Sequence, residues 1–254
     1  MNIDGTFNVL LAAHRRRVSR VVYAASSSAY GDTETLPKVE NMPPVPKSPY
    51  AVQKLVGEYY ARTFFENYGL ETVSLRYFNV FGPRQDPASP YSGVISLSCT
   101  AALEKHAPTI FGDGEQTRDF TYVDNVDNIV KLNLLAARAP QAPGRTYNGG
   151  SGGRITLNEL WRRLEEIEGL DLPPRYAPRR AGDVRDSQAD LTAVRRDLGY
   201  EPHVNLTEGL RRTLEWYRTP TRQDAGSVRQ RDDAPYWSTM SCVSSKARLT
   251  RFFR

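Results

Sequence analysis

Arg20-Val21-Val22-Tyr23-Ala24-Ala25-Ser26-Ser27-Ser28-Ala29-Tyr30-Gly31-Asp32, followed after a proline-rich connection by Ser48-Pro49-Tyr50-Ala51-Val52-Gln53-Lys54, is the stretch on which the fold turns. Its first part is a short apolar strand running into a triple serine. Serines just past the carboxyl end of a parallel strand lie where open α/β sheets bind their ligands. The second part opens a helix in which Tyr50 and Lys54 are four apart, so one turn sets both side chains on one face. A phenol beside an ammonium ionises more readily, and burial strengthens the effect. Such a pair suits a general base that takes a proton from a sugar or alcohol hydroxyl. Each piece alone is commonplace, since Tyr and Lys four apart and serine-rich turns occur in many proteins.

Outward from this stretch, the Tyr50 helix continues through Leu55, Val56, Tyr59, Tyr60, Phe64 and Phe65 and stops at Asn67-Tyr68-Gly69. Glu71 to Arg76 is the next strand, and strand, helix, strand in this order predicts a right-handed crossover and a parallel sheet. Upstream, a helix starts at the N-terminus with Asp4 or Thr6 as cap and Phe7, Leu10, Leu11 and Ala13 as its apolar stripe. Arg15 to Arg17 end it, where positive charge complements the dipole. Five prolines between Leu36 and Pro49 read as a surface loop.

Downstream, Gly93 to Lys105 is an apolar helix and Pro108 to Phe111 a short strand before the turn Gly112-Asp113-Gly114. Val123 to Ala139 is a helix with Val126, Ile129, Val130, Leu134 and Leu135 inward, and Thr146 to Asn148 a last sheet strand. Asn148-Gly149-Gly150-Ser151-Gly152-Gly153 invites a phosphate-loop reading, but no Gly-Lys-Ser/Thr follows, which favours a flexible strand-to-helix loop. Thr156 and Glu159 form a capping box for a helix through Ile167, and residues 190–198 and 206–217 are further short helices. From Thr219 the chain is polar and charge-mixed without sustained period, the mark of a disordered tail.

With 254 residues the chain suffices for one sizeable soluble domain or one and a half. No run approaches a membrane span and no signal peptide is evident, so the expected place is the cytoplasm. Cys99 and Cys242 are far apart and His14, His106 and His203 lack ligand spacing, which argues against a disulfide framework and a metal site. The net charge of +5 fits an anionic substrate, nucleic acid or nothing in particular. No basic stripe interleaved with aromatics supports a nucleic-acid partner.

Taken together, Asn2-Ile3-Asp4-Gly5-Thr6, Ser26 to Asp32, Ser48 to Lys54, Arg76-Tyr77-Phe78-Asn79-Val80-Phe81-Gly82-Pro83-Arg84-Gln85, Gly112 to Phe120 and Gly182-Asp183-Val184-Arg185-Asp186-Ser187 resemble, in order and spacing, the extended short-chain dehydrogenase/reductase superfamily. Within it the chain is most similar to UDP-sugar 4-epimerases, above all the bacterial UDP-N-acetylglucosamine 4-epimerases of surface-polysaccharide synthesis. The resemblance covers roughly residues 2 to 218. It implies an α/β fold with a Rossmann-like parallel sheet and a smaller α/β substrate domain. Residues 1–85 are then the C-terminal part of the NAD-binding domain, 86–218 mix substrate-domain segments with remaining Rossmann elements, and 219–254 are the tail.

In these terms Tyr50 is the base, Lys54 supports it and bonds the nicotinamide ribose, and Ser26 bonds the reacting hydroxyl. Asn2 and Phe78 match positions near the NAD cofactor. Ser27, Ser28, Asn79, Arg118, Arg180 and Ser187 match positions around the UDP-sugar, with Arg84 and Arg185 as further candidates. Dehydratase relatives carry Asp and Glu where Ser27 and Ser28 stand, so the hydroxyls favour epimerisation over elimination or decarboxylation. A small residue at Ser187 leaves room for an N-acetyl group.

The resemblance also implies a homodimer formed through the helix after Asn2 and the Tyr50 helix. The usual glycine-rich turn and ribose-binding acid have no counterpart before Val21. The first βαβ units are therefore expected to be missing. The alternative to an active epimerase is then an inactive remnant or a pairing partner of an intact relative, and a strand followed by Gly-x-x-Gly-x-x-Gly encoded upstream of Met1 would carry the enzyme assignment to the longer protein.

Overall fold

The structure, a computed structural model, describes residues 2–87, 93–123, 129–180 and 182–219. The first half holds α1 (Asn2–Arg15), β1 (Arg20–Ser26), a 3₁₀ turn (Ser27–Tyr30), α2 (Pro49–Tyr68), β2 (Glu71–Tyr77) and β3 (Asn79–Phe81). Then come α3 (Val94–Leu103), β4 (Thr109–Phe111), β5 (Thr117–Arg118), β6 (Phe120–Tyr122), α4 (Ile129–Arg138) and β7 (Thr146–Gly149). The last described elements are β8 (Ile155–Thr156), α5 (Leu157–Glu168), β9 (Arg175–Ala177), α6 (Thr192–Leu198) and α7 (Leu206–Arg218).

The expected parallel sheet is present, in the order β1-β2-β7, with Arg20 opposite Glu71 and Ser74 opposite Thr146. Val73 and Leu75 on β2 are fully buried and pack with Leu132 and Ala136 of α4 and Val194 and Leu198 of α6. A second core joins Ile95 and Cys99 of α3, Leu160 and Leu164 of α5 and Leu210 and Leu214 of α7 to Phe81 and Tyr122. Burial pushes the Cys99 thiol up to about 12, so it behaves as a small apolar side chain. Among the described residues no helix is long and apolar enough to cross a membrane.

Local signals placed most elements well. Ser48 caps α2 by accepting the Ala51 amide, Pro49 opens it and Gly69 closes it in the left-handed region at φ 67°. Thr156 accepts the Glu159 amide, but the Glu159 carboxylate turns to Arg162 and Arg163, so only half of the capping box forms. Helix α1 starts earlier than its expected caps, and Thr6 lies inside it with its hydroxyl donating to the Asn2 carbonyl.

The buried face of α4 differs from the expected one. Ile129, Leu132 and Ala136 are buried, whereas Val130 and Leu134 are half exposed, because a helix packed on one sheet turns positions i, i+3 and i+7 inward and i+1, i+5 outward. The 36–49 connection is more than a surface loop. Lys38 within it is buried, and its backbone bonds Gln188 and Asp190. Val126, Cys242 and the tail from residue 220 onward lie outside the described residues.

Candidate active site

The carboxyl ends of β1 and β2 open into a cleft of about 550 Å³. Ser26, Ser27, Ser28, Tyr50, Lys54, Phe78, Asn79, Arg118 and Ser187 all line it, although they come from five separate segments of chain. This is the position at which an open parallel sheet presents loop residues to a ligand.

At its floor, Ser26 ends β1 in extended conformation and caps the 3₁₀ turn. Its Oγ accepts from the Ser28 amide at 3.2 Å and the Ser28 hydroxyl at 2.9 Å, which leaves its own O–H to donate into the cleft. Across from it, Lys54 donates to the Ala24 carbonyl at 2.8 Å, and its Nζ lies 5.9 Å from the Tyr50 ring centroid and 5.7 Å from that of Tyr23. Burial holds the Lys54 ammonium below its ordinary pKa. Gly57 permits this approach of helix and strand, since a Cβ there would come within 2.0 Å of the Tyr23 hydroxyl. That hydroxyl donates to the Lys54 carbonyl at 3.3 Å.

A second cavity of about 640 Å³ adjoins the first and shares Asn79, Arg118 and Asp183 with it. Arg180 lines it, with its guanidinium carbon 3.6 Å from the centroid of the Phe111 ring. Arg118 stands between the two cavities. Its guanidinium donates to the carbonyls of Thr117 (2.8 Å) and Arg185 (3.2 Å), and burial lowers its pKa because the cation is desolvated. A partly buried cation bonded to carbonyls is stabilised by any anion that enters beside it.

Not every expected residue joins this site. The Asn2 side chain is turned to α2, donating to Gln53 Oε1 at 2.8 Å, and lines neither cavity. Arg185 forms an ion pair with Asp113 and Arg84 stands outside both cavities in the left-handed region at φ 67°. Other lining residues escaped notice in the sequence. Lys38 donates to the Thr33 carbonyl and to Thr33 Oγ1 at 2.5 Å, and Asp186 accepts from Thr117 Oγ1 at 2.5 Å. Phe111 carried the only usable signal, an aromatic directly before the Gly112-Asp113-Gly114 turn.

Comparison with known proteins gives the chain's relatives. The NAD dependent epimerase/dehydratase family matches over residues 1–150. A putative UDP-glucose 4-epimerase of Methanocaldococcus jannaschii is 37% identical over 223 residues, 87% of this chain and 70% of that protein. The structure of UDP-glucose 4-epimerase from Thermotoga maritima with UDP-glucose is similar at 40% identity and a TM-score of 0.80, over 85% of this chain and 69% of that one. That of UDP-N-acetylglucosamine 4-epimerase from Methanobrevibacter ruminantium, in complex with UDP-N-acetylmuramic acid, matches at 37% identity and a TM-score of 0.79, over 85% and 68%. The chain therefore belongs to the NAD-dependent epimerase/dehydratase family, and UDP-sugar 4-epimerases are its relatives in both sequence and fold.

Proposed function

We propose that the cleft performs the reversible C4 epimerisation of a UDP-hexose, with UDP-N-acetylglucosamine and UDP-N-acetylgalactosamine as the pair it accepts. The observation that carries this reading is the convergence of Ser26, Tyr50 and Lys54 on one cleft in which positions 27 and 28 present hydroxyls. Elimination at a neighbouring sugar carbon needs an acid and base there, and serine hydroxyls are far too weak for it.

The residues present fit the nicotinamide end of NAD. Lys54 spends one of its three donors on Ala24, so two remain for ribose hydroxyls, and buried Phe78 forms part of the wall. Bound there, NAD would supply reversible hydride transfer at C4 of the sugar. The chain's own part is to hold and move protons. Tyr50 takes the proton of the C4 hydroxyl and Ser26 donates to the same oxygen, with the Lys54 ammonium 5.9 Å from the Tyr50 ring centroid. Arg118 and Arg180 suit the diphosphate, and Phe111 offers an apolar ring in the same cavity. Ser187, small and 9% exposed, leaves space on the sugar's C2 side.

The full chain, supplied with NAD and either UDP-N-acetylglucosamine or UDP-glucose, is expected to yield the C4 epimer by chromatography, with more from the N-acetylated sugar. A stable keto product, or net reduction of NAD without the epimer, overturns the reading in favour of a dehydratase or reductase.

The same reading includes a homodimer through α1 and α2. Val52 and Tyr59, seven apart on α2, are exposed, as are Phe7 on α1 and Tyr68 at the end of α2. Apolar surface of this kind on neighbouring helices favours a self-complementary contact. Light scattering at micromolar concentration is expected to give twice the chain mass, and a monomer alone would contradict it.

A further inference from the structure

Asp119 directly follows Arg118, is fully buried and lines neither cavity. Its carboxylate nonetheless accepts from four strong donors. The Ser151 amide (2.8 Å) and Ser151 hydroxyl (2.6 Å) meet Oδ1, and the Gly152 amide (2.9 Å) and Ala189 amide (3.1 Å) meet Oδ2. Burial pushes this carboxyl upward and the four donors oppose it, and such a set suits an acceptor that carries no proton of its own. The backbone carbonyl of Asp119 also accepts the Asn79 amide at 3.1 Å.

The glycine-rich run that invites a phosphate-loop reading is thus an anion cradle already filled by a protein carboxylate. A Cβ at Gly150 would lie 2.9 Å from Asp119 Oδ2 and 2.6 Å from the Ala189 Cβ, so glycine is what lets the loop close. Gln188 Nε2 donating to the Gly152 carbonyl and the Tyr200 hydroxyl donating to the Gly150 carbonyl, both at 2.9 Å, brace it further. The carboxylate therefore joins the segments around residues 119, 151 and 189, and the backbone carbonyl of the same residue adds the segment at Asn79. Three of these carry cleft residues: Asn79 itself, Arg118 next to the aspartate, and Ser187 two residues before Ala189.

We propose that Asp119 is a positioning residue, a clamp that holds Asn79, Arg118 and Ser187 in the mutual register with which they meet the nucleotide sugar. The inference rests on the reading of the cleft as a UDP-sugar site. It assigns the aspartate a role through its neighbours and no contact with substrate. Removing the carboxylate leaves every lining residue in place chemically but frees the segments at 151 and 189 to move relative to Arg118 and Asn79, which stay linked through the backbone. Displacements of about an ångström in such groups cost far more than the loss of any one contact.

The test uses the full chain as wild type, Asp119→Asn, Ser151→Ala and Leu10→Ala. The amide of Asp119→Asn keeps the shape but sets an N–H against donors already converging on one of the two oxygens. Ser151→Ala removes a single donor. Leu10→Ala empties part of the α1–α2 core remote from the cleft and controls for lost stability alone. Hydrogen exchange at the amides of Asn79, Ser151, Gly152 and Ala189 is read beside UDP affinity by calorimetry.

Asp119→Asn is expected to exchange faster at Ser151, Gly152 and Ala189, with Asn79, bonded to the backbone carbonyl, much less affected, and to bind UDP about tenfold more weakly or worse. Ser151→Ala is expected to fall between it and wild type, and Leu10→Ala to melt earlier with unchanged UDP affinity. If Asp119→Asn does not fold, Ser151→Ala carries both measurements. UDP binding by wild type with unchanged exchange in the variants, or a loss of affinity no greater than that of Leu10→Ala, overturns the role of Asp119 alone. A folded wild type that binds no UDP overturns the reading of the cleft and, with it, the positioning role.

Discussion

Tyr50→Phe is expected to lower the rate of C4 epimerisation about a thousandfold, the middle to upper part of the range for losing a general base, while leaving the melting curve unchanged. The two halves of this expectation rest on separate observations. Among the described residues no group hydrogen-bonds the Tyr50 hydroxyl and the residue is 48% exposed, so deleting the oxygen removes no contact on which the fold depends. In the proposed reaction, by contrast, the chemistry passes through that oxygen, because Ser26 and Lys54 offer donors to the site and neither would replace the acceptor of the substrate proton. The loss should fall on kcat with KM little changed, since an interaction made mainly in the transition state is removed. Retention of more than a tenth of the activity would make Tyr50 an ordinary exposed helix residue.

The second large effect concerns stability. Glu58 stands one turn beyond Lys54 on α2, and its carboxylate receives Arg76 Nη2 at 2.7 Å and Nε at 3.0 and 3.1 Å. Both side chains are 6% exposed. The guanidinium also lies 4.6 Å from the centroid of the Tyr30 ring, and the Tyr30 hydroxyl donates to Asn148 Oδ1 at 2.7 Å. This network ties α2 to β2, to the 3₁₀ turn after β1 and to β7. Glu58→Ala leaves a buried cation without its carboxylate and is expected to cost roughly 3–5 kcal/mol. In a domain of this size that lowers the melting temperature by about 2–4 °C for each kcal/mol. Replacing both residues by apolar side chains of similar volume should recover most of the loss, because the penalty lies in the stranded charge rather than in the missing pair. Denaturant titration of the two variants checks this, and a Glu58→Ala cost below about 1 kcal/mol would show that water reaches Arg76.

Both predictions depend on α2, the most legible element in the chain. Its Ser48 cap, Pro49, aromatic run and Gly69 stop are all local signals, and the fixed rise of a helix converts the spacing of Tyr50, Lys54 and Glu58 directly into a shared face. The strands around it were legible for a related reason, since a buried parallel strand reads as an apolar run and the helix between two of them sets their order. The family follows from several such local patterns in fixed order.

What the sequence by itself determined, then, is the set of elements whose residues talk to near neighbours: β1, α2, β2 and the serines at the end of β1. The tertiary structure alone decided which distant residues meet. The heptad-like pattern of α4 did not reveal that Leu132 faces the sheet while Val130 and Leu134 do not, because the phase of a helix is set by what it packs against. Nothing in the proline-rich stretch marks Lys38 as buried, since its partners lie more than a hundred residues away at Gln188 and Asp190. The run from Gly149 to Gly153 looks like slack in the chain until Ser151 and Gly152 within it are seen donating to Asp119. Each of these is a long-range pairing of a polar group or a helix face. Its energy depends on excluding water from a place that several segments build together, and no window of local sequence contains that place.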